Sequence, residues 1–206
     1  MASPVGREEG RIATITAALL VGGASSRMGR DKACLELGGV ANATRLARLL
    51  GGLFEEVLIV GGDPPDDAPG RRVPDPEGPV CALRGLVAAL EAARSARVLV
   101  VATDLPLLTA DLVLALVAWP EADVVVPRDA RGIHPLCAIY RREALLPLAR
   151  EHLAAGRLEL RGPLDAVATS YFGPDDLARV DPSGRALTNL NTPEDLARAE
   201  ALLRGA

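Results

Sequence analysis

Ser25, Ser26, Arg27 and Lys32 follow a pair of adjacent glycines, Gly22-Gly23, directly after the first long apolar run of the chain. Adjacent glycines accept positive φ and let successive backbone N–H groups turn toward one point, which makes an anion-binding concavity. The two hydroxyls and the charges of Arg27 and Lys32 add the donors that a polyphosphate requires. Gly29 keeps the loop flexible between Arg27 and Lys32. The spacing excludes the two better-known glycine-rich phosphate loops. A Walker loop needs Gly, four residues, then Gly-Lys-Ser/Thr, whereas Lys32 follows Asp31 and precedes Ala33, and no Gly-x-Gly-x-x-Gly is present. An ordinary surface turn does not account for two bases and two hydroxyls beside a glycine pair.

A second chemical position is Asp104, which follows the apolar run Arg97 to Ala102 and precedes Leu105-Pro106. A carboxylate projecting from a strand end can hold Mg²⁺, because magnesium is bound through one or two carboxylates plus substrate phosphates. Asp75 lies in a loop dense in Pro, Asp and Gly, where composition alone reads it as a solvated turn residue. His134 before Pro135 reads as structural and His152 as a mid-helix residue, so neither is assigned to catalysis. Ser25 and Ser26 have no His/Asp constellation, and no Cys has a partner at redox spacing, so covalent catalysis is not indicated. Cys34, Cys81 and Cys137 are odd in number and widely spaced, as expected of reduced thiols in a cytoplasm.

The elements that must position these groups alternate. Ile12 to Val21, Val57 to Val60 and Arg97 to Ala102 read as buried strands. Ala41 to Leu50 reads as a helix with Arg45 and Arg48 outward and Gly51-Gly52 as its stop, and Val80 to Arg94 as a helix with Leu83, Leu86, Val87 and Leu90 on one face. Asp63 to Pro79 reads as loop around a short Arg72-Val73 strand. Thr109 caps a helix over 110–118, Val124 to Val126 is a further strand, and His134-Pro135 opens the apolar run Leu136 to Tyr140. A helix through Leu153 carries Pro147 as a kink or restart. Pro163 suits a first helical residue, and 188–203 reads as a short strand, an N-cap at Thr192 and a terminal helix.

Repeated strand–helix–strand units demand right-handed crossovers and a mostly parallel sheet covered on both faces, an α/β Rossmann-like three-layer sandwich. Ligands then sit beyond the carboxyl ends of the strands, where Gly22-Gly23, Gly61-Gly62 and Thr103-Asp104 fall. A chain of 206 residues suits one such domain, with residues 1–10 a disordered tail and 11–206 the folded unit. Net charge is −4 and aromatics are 2%, which gives neither a basic face for nucleic acid nor a stacking platform for its bases. No apolar run reaches membrane-spanning length, so no membrane partner is expected.

From Leu20 to Lys32 the chain closely resembles the molybdenum cofactor guanylyltransferase family, the MobA-like nucleotidyltransferases. Their signature is Leu-x-Gly-Gly, a few small residues, Arg-Met-Gly and then Asp-Lys. The resemblance continues through Asp104-Leu105-Pro106, which matches the family's Asp-x-Pro metal motif, through His134-Pro135-Leu136, the Ala154 to Arg157 turn, and Asn189-Leu190-Asn191-Thr192-Pro193-Glu194-Asp195-Leu196. It implies a nucleotide-diphospho-sugar transferase-like fold, nucleotide binding by Leu20, Val21, Gly22, Gly23, Lys32, Asp75 and Asp104, catalytic roles for Arg27, Lys32 and Asp104, and Mg²⁺ on Asp104. The asparagines of the last motif are placed on the acceptor side. The donor it implies is GTP and the acceptor molybdenum-loaded molybdopterin, in a cytoplasmic enzyme that allows transient contact with other cofactor-biosynthesis proteins.

The chain departs from the family pattern at three places. Val21 stands where alanine is commonest, and Gly39-Val40-Ala41-Asn42 lacks the usual Pro-Leu pair. The acidic residue before the Gly-Pro-Leu-x-Gly helix start has Asp75 as its nearest match. Gly78-Pro79 lacks the glycine three residues on, whereas Leu83-Arg84-Gly85-Leu86 fits the later half and puts Cys81-Ala82 where Gly-Pro should stand. Two registers are therefore open between Asp75 and Gly85.

The reading is transfer of a nucleoside monophosphate from an NTP to a phosphorylated acceptor with release of pyrophosphate. In-line attack by the acceptor phosphate needs charge neutralisation on the leaving group and no protein nucleophile. A cytidylyltransferase for the same cofactor, or a nucleotidyltransferase for a sugar phosphate or phospholactate, keeps the reaction and changes the substrates. A non-catalytic nucleotide-binding protein is the reading from another class. Lys32 and Asp104 together argue against it, because binding alone tolerates loss of the metal carboxylate.

Overall fold

The computed structural model describes residues 10–22, 35–74, 77–78, 80–190 and 192–203. Its sheet is centred on β1 (Ile15–Leu20), which pairs in parallel with β4 (Val57–Val60) on one side and β6 (Arg97–Ala102) on the other. β5 (Arg71–Val73) extends the β4 edge in parallel. Beyond β6 the direction reverses: β9 (Cys137–Arg141) runs antiparallel both to β6 and to β7 (Val124–Asp129). β10 (Thr169–Phe172) adds a parallel strand to β7, giving the order β10-β7-β9-β6-β1-β4-β5, and β8 (Gly132–Ile133) folds back on β7.

Alternation along β1 assigns the two faces. Ile15, Ala17 and Leu19 meet Leu46 and Leu50 of α1 (Asn42–Leu53) and Leu112 and Leu116 of α3 (Ala110–Ala118). Ala18 and Leu20 point the other way, into Leu83, Leu86 and Leu90 of α2 (Ala82–Ala92) and Leu145 and Ala149 of α4 (Arg142–Ala154). A period-two strand between two period-3.6 apolar stripes is the expected three-layer solution. α5 (Arg161–Asp165) joins the α2/α4 layer, and α6 (Pro174–Val180) packs with α3. A satellite cluster joins Leu37 of β2 (Glu36–Leu37), which pairs with β3 (Val40–Ala41), to Leu190 and to Ala199 of α7 (Pro193–Leu203).

Several local expectations change. α1 runs through Gly51-Gly52 because Leu53 packs on the core and Phe54, fully buried, donates its N–H to Leu50 O at 2.8 Å. Burying that ring offsets the roughly 1 kcal/mol that each helical glycine costs. Arg45 is half-buried rather than outward. α4 passes Pro147 without a restart, and α5 begins two residues before Pro163. No strand forms at 188–190; Leu190 N donates instead to Asp104 O at 2.7 Å. Thr192 and Asp195 close a reciprocal capping box ahead of α7, with Asp195 N donating to Thr192 Oγ1 at 3.1 Å and Thr192 N to Asp195 Oδ2 at 2.9 Å. β8, β10 and α6 are elements that the periodicity did not announce.

Candidate active site

β4, β1 and β6 are parallel neighbours, so their carboxyl ends lie side by side, and the chain leaves them at Gly61-Gly62, Val21-Gly22 and Thr103-Asp104. The ladder continues one step past each strand, with Val21 N donating to Val60 O at 2.8 Å and Thr103 N to Leu20 O at 3.2 Å. Gly22, Gly61 and Gly62 all have positive φ. At Gly62 the need for glycine is absolute: a Cβ there would stand 2.5 Å from Val21 O. Two glycine turns thus close on each other over the end of β1.

Asp104 is held through its backbone. Leu190 N binds its carbonyl, and the preceding carbonyl, Thr103 O, accepts from the fully buried Asn42 Nδ2 at 2.6 Å. Asn42 opens α1, and its Oδ1 accepts from the Arg45 guanidinium at 3.2 Å, so a buried amide ties the start of α1 to the end of β6. Burial lowers the basicity of Arg45. The Asp104 residue lines a cavity of about 130 Å³ with His134, Asn189 and apolar walls that include Leu105, Leu136 and Leu160. Behind it Cys137 is fully buried; burial first, and the charge of Asp104 second, push its thiol up to about 12. A thiol so held stays protonated and does not compete for a metal. Among the described residues no three His, Cys, Asp or Glu side chains gather as a metal cage. One carboxylate on an open cavity fits the way magnesium is bound, through few protein ligands and substrate phosphates.

Antiparallel β9 begins where β6 ends, with Ala102 N donating to Leu136 O at 3.0 Å. That brings His134 to the same edge of the sheet as Asp104, a residue that sequence reasoning set aside. The missed signal was chain length. Nine residues, 127–135, separate the apolar runs around Val126 and Leu136, too few for the crossover that parallel strands need, so the two strands had to be antiparallel. His152 remains in α4, where its Nδ1 accepts from Arg157 Nε at 3.4 Å.

The structure therefore brings Leu20, Val21, Gly22 and Asp104 together. Gly23, Ser25, Ser26, Arg27, Lys32, Asp75 and Asn191 lie outside the described residues. Of the two registers before α2, the one carrying Leu83-Arg84-Gly85-Leu86 has a structural reason. Gly85 packs on β1, where a Cβ would stand 3.3 Å from Leu20 Cδ1, and the buried Arg84 guanidinium donates back to Gly78 O. Leu20 O and Val21 N are committed to the sheet, whereas among the described residues Val21 O and Gly22 N take no part in its ladder.

A family model described as the MobA-like NTP transferase domain matches residues 17–167. A protein named probable molybdenum cofactor guanylyltransferase from Chloroflexus aggregans is 37% identical over 194 residues, covering 90% of this chain and 93% of that one. A molybdenum cofactor guanylyltransferase from Cereibacter sphaeroides is 38% identical over 196 residues, covering 90% and 95%. Among solved structures, the molybdopterin-guanine dinucleotide biosynthesis protein A of Archaeoglobus fulgidus superposes with a TM-score of 0.79 over 93% of this chain and all of that one, at 22% identity, a likeness of fold.

Proposed function

We propose that this chain, which belongs to the MobA-like NTP transferase family, transfers GMP from GTP to molybdenum-loaded molybdopterin and releases pyrophosphate. The observation that carries the reading is the convergence of the β4, β1 and β6 ends on one edge, with Asp104 fixed there through Leu190 N and, one residue earlier, Asn42. The acceptor phosphate attacks the α-phosphorus in line with the departing pyrophosphate, so the protein supplies position and charge and forms no covalent intermediate. In this reading Gly22, Gly23 and the amides after them hold the phosphates, and Arg27 and Lys32 neutralise the charge that builds on the leaving group. In the same reading Asp75 is a further nucleotide contact. Asp104 would hold Mg²⁺, whose contribution is to neutralise phosphate charge and help orient donor and acceptor. We place the enzyme in the cytoplasm, with transient contact to other cofactor-biosynthesis proteins; among the described residues no helix is long and apolar enough to cross a membrane.

The test is direct. Purified protein, GTP, Mg²⁺ and molybdenum-loaded molybdopterin are incubated, and pyrophosphate and the guanine dinucleotide product are quantified together. Equimolar appearance of both is expected. Pyrophosphate without dinucleotide, or a faster reaction with CTP, would overturn the assignment.

A further inference from the structure

No step in the proposed reaction uses His134, yet its segment is fixed at three backbone points. Its N–H donates to Pro127 O at 2.9 Å, its carbonyl accepts from Cys137 N at 3.0 Å, and the next carbonyl, Pro135 O, accepts from the buried Tyr140 hydroxyl. The ring has its own partner: Nε2 lies 3.0 Å from Asp129 Oδ2. Asp129 is in turn gripped by Arg131, which donates to it from the backbone N at 2.8 Å, from Nε at 2.9 Å and from the guanidinium end at 2.6 Å. Burial pushes the Asp129 carboxyl up, but the hydrogen bonds from Arg131 and His134 outweigh it and hold it at about 2. Asp129 is therefore an anion at any working pH, and an anion against one imidazole nitrogen keeps the proton there. Nε2 is buried and meets Asp129 as an ion-pair approach without the alignment of a full hydrogen bond, and no side-chain hydrogen bond to Nδ1, the other nitrogen, forms among the described residues.

The position of the ring separates donor from acceptor. In the order β4-β1-β6-β9 the glycine turns stand over β4 and β1, while His134 enters with β9 on the far side of β6. Asp104 lies between them, and the cavity it shares with His134 and Asn189 has apolar walls and, among the described residues, no Lys or Arg. Such a cavity suits the body of a heterocycle better than a triphosphate, which requires cations.

We propose that His134, oriented by Asp129, is a specificity contact for the phosphorylated acceptor, accepting at Nδ1 a hydrogen bond from an N–H or O–H of that molecule. The inference deepens the guanylyltransferase reading and rests on it. In this arrangement Asp129 is a positioning residue that acts through the ring. With the proton on Nε2 the ring offers a lone pair at Nδ1, which matches the amide and amine edge of a pterin and would leave a pure phosphate group unmet.

The experiment is steady-state GMP transfer from GTP to molybdopterin by the wild-type protein and by His134→Leu, His134→Gln and Asp129→Asn, with KM determined separately for each substrate. His134→Leu is expected to raise the acceptor KM about tenfold, the loss of one hydrogen bond from a buried site, and to leave the KM for GTP within about twofold. His134→Gln retains an acceptor oxygen and should recover most of the loss, and Asp129→Asn should fall between them. Equal rises in both KM values, or a folded His134→Leu with an unchanged acceptor KM, overturn the proposal. If His134→Leu does not fold, Asp129→Asn decides alone: a raised acceptor KM with an unmoved KM for GTP supports the proposal, and any other split overturns it. Wild-type protein that transfers no GMP overturns the guanylyltransferase reading and this contact with it, whereas wild-type transfer with unmoved variants overturns the contact alone.

Discussion

Asp104 and Lys32 are asked for different work, and substitution separates them. Asp104→Asn keeps the shape of the side chain and the backbone bond to Leu190 N, so the fold should persist, but the amide lacks the charge that holds a divalent cation. Transfer measured over a Mg²⁺ titration should fall by about a hundredfold or more, with a much smaller loss of GTP affinity. An equal loss of both would make the aspartate purely structural. Lys32→Ala should abolish turnover and leave the melting temperature unchanged, because the role proposed for it is to neutralise phosphate charge and not to build the core; near-normal activity in a folded variant would remove it from the mechanism. Asp129 answers to pH. Its native value near 2 lies below the ordinary carboxylate range, so its contribution, about 2 kcal/mol, is complete above about pH 4 and lost as pH falls toward 2. Melts of Asp129→Asn against wild type should show that difference at pH 7 and converge only as pH falls through about 2. At this scale the sequence pointed to Asp104 because an apolar run ended at an acid before Pro106, and passed over His134 because its place beside Asp104 depends on the direction of the strand that follows.

The elements that place these residues were readable where they are long and regular, and not where they are short. β1, β4, β6 and α3 announce themselves by apolar runs or a capped amphipathic stripe, and Thr109 does cap α3, its Oγ1 accepting from Leu112 N at 3.3 Å. β8 has two residues, β10 is half exposed, and α6 has no buried side chain, so none carries a burial pattern to detect. The stretch at 188–190 misleads in the opposite sense: it reads as a strand, but Thr188 N turns back to Arg185 O and Leu190 N goes to Asp104 O. Gly62 is where two elements lean on each other most directly. Gly62→Ala forces a Cβ against Val21 O and keeps a positive φ that costs an alanine about 1–2 kcal/mol even in open space. The β4 and β1 turns must then part. Both the melting temperature and GTP affinity should fall, measured by calorimetry and titration, whereas Gly52→Ala, in open space on α1, should stabilise the fold by up to about 1 kcal/mol. Unchanged GTP affinity in Gly62→Ala would detach these turns from the nucleotide.

Taken as a whole molecule, the chain has few ways to choose a base. Its five aromatic residues are committed elsewhere: Phe54 is in the core, Trp119 packs edge-on against Phe172 at 4.8 Å, Tyr140 is buried in β9, and Tyr171 lies under Arg128 at the β10 edge. None stands at the ends of β1 and β4, so stacking on an aromatic ring is not what selects the nucleotide. Selection falls to hydrogen bonds, and the sheet order fixes which are to hand, because Leu20 O and Val21 N are spent on Thr103 and Val60. Among the described residues Val21 O and Gly22 N lie outside that ladder. Guanine presents N1–H and N2–H₂ donors beside an O6 acceptor, and a carbonyl acceptor next to a backbone N–H donor, as Val21 O and Gly22 N offer, is the complementary pattern. Cytosine and adenine invert part of it, leaving buried groups unpaired at about 1–3 kcal/mol each. With Mg²⁺ present GTP should therefore bind at least about tenfold more tightly than CTP or ATP, since a single unpaired group already carries that factor. Isothermal titration with each nucleotide reads the ratio directly. Equal affinities, or a preference for CTP, would remove guanine from the assignment and leave nucleotidyl transfer on this fold standing.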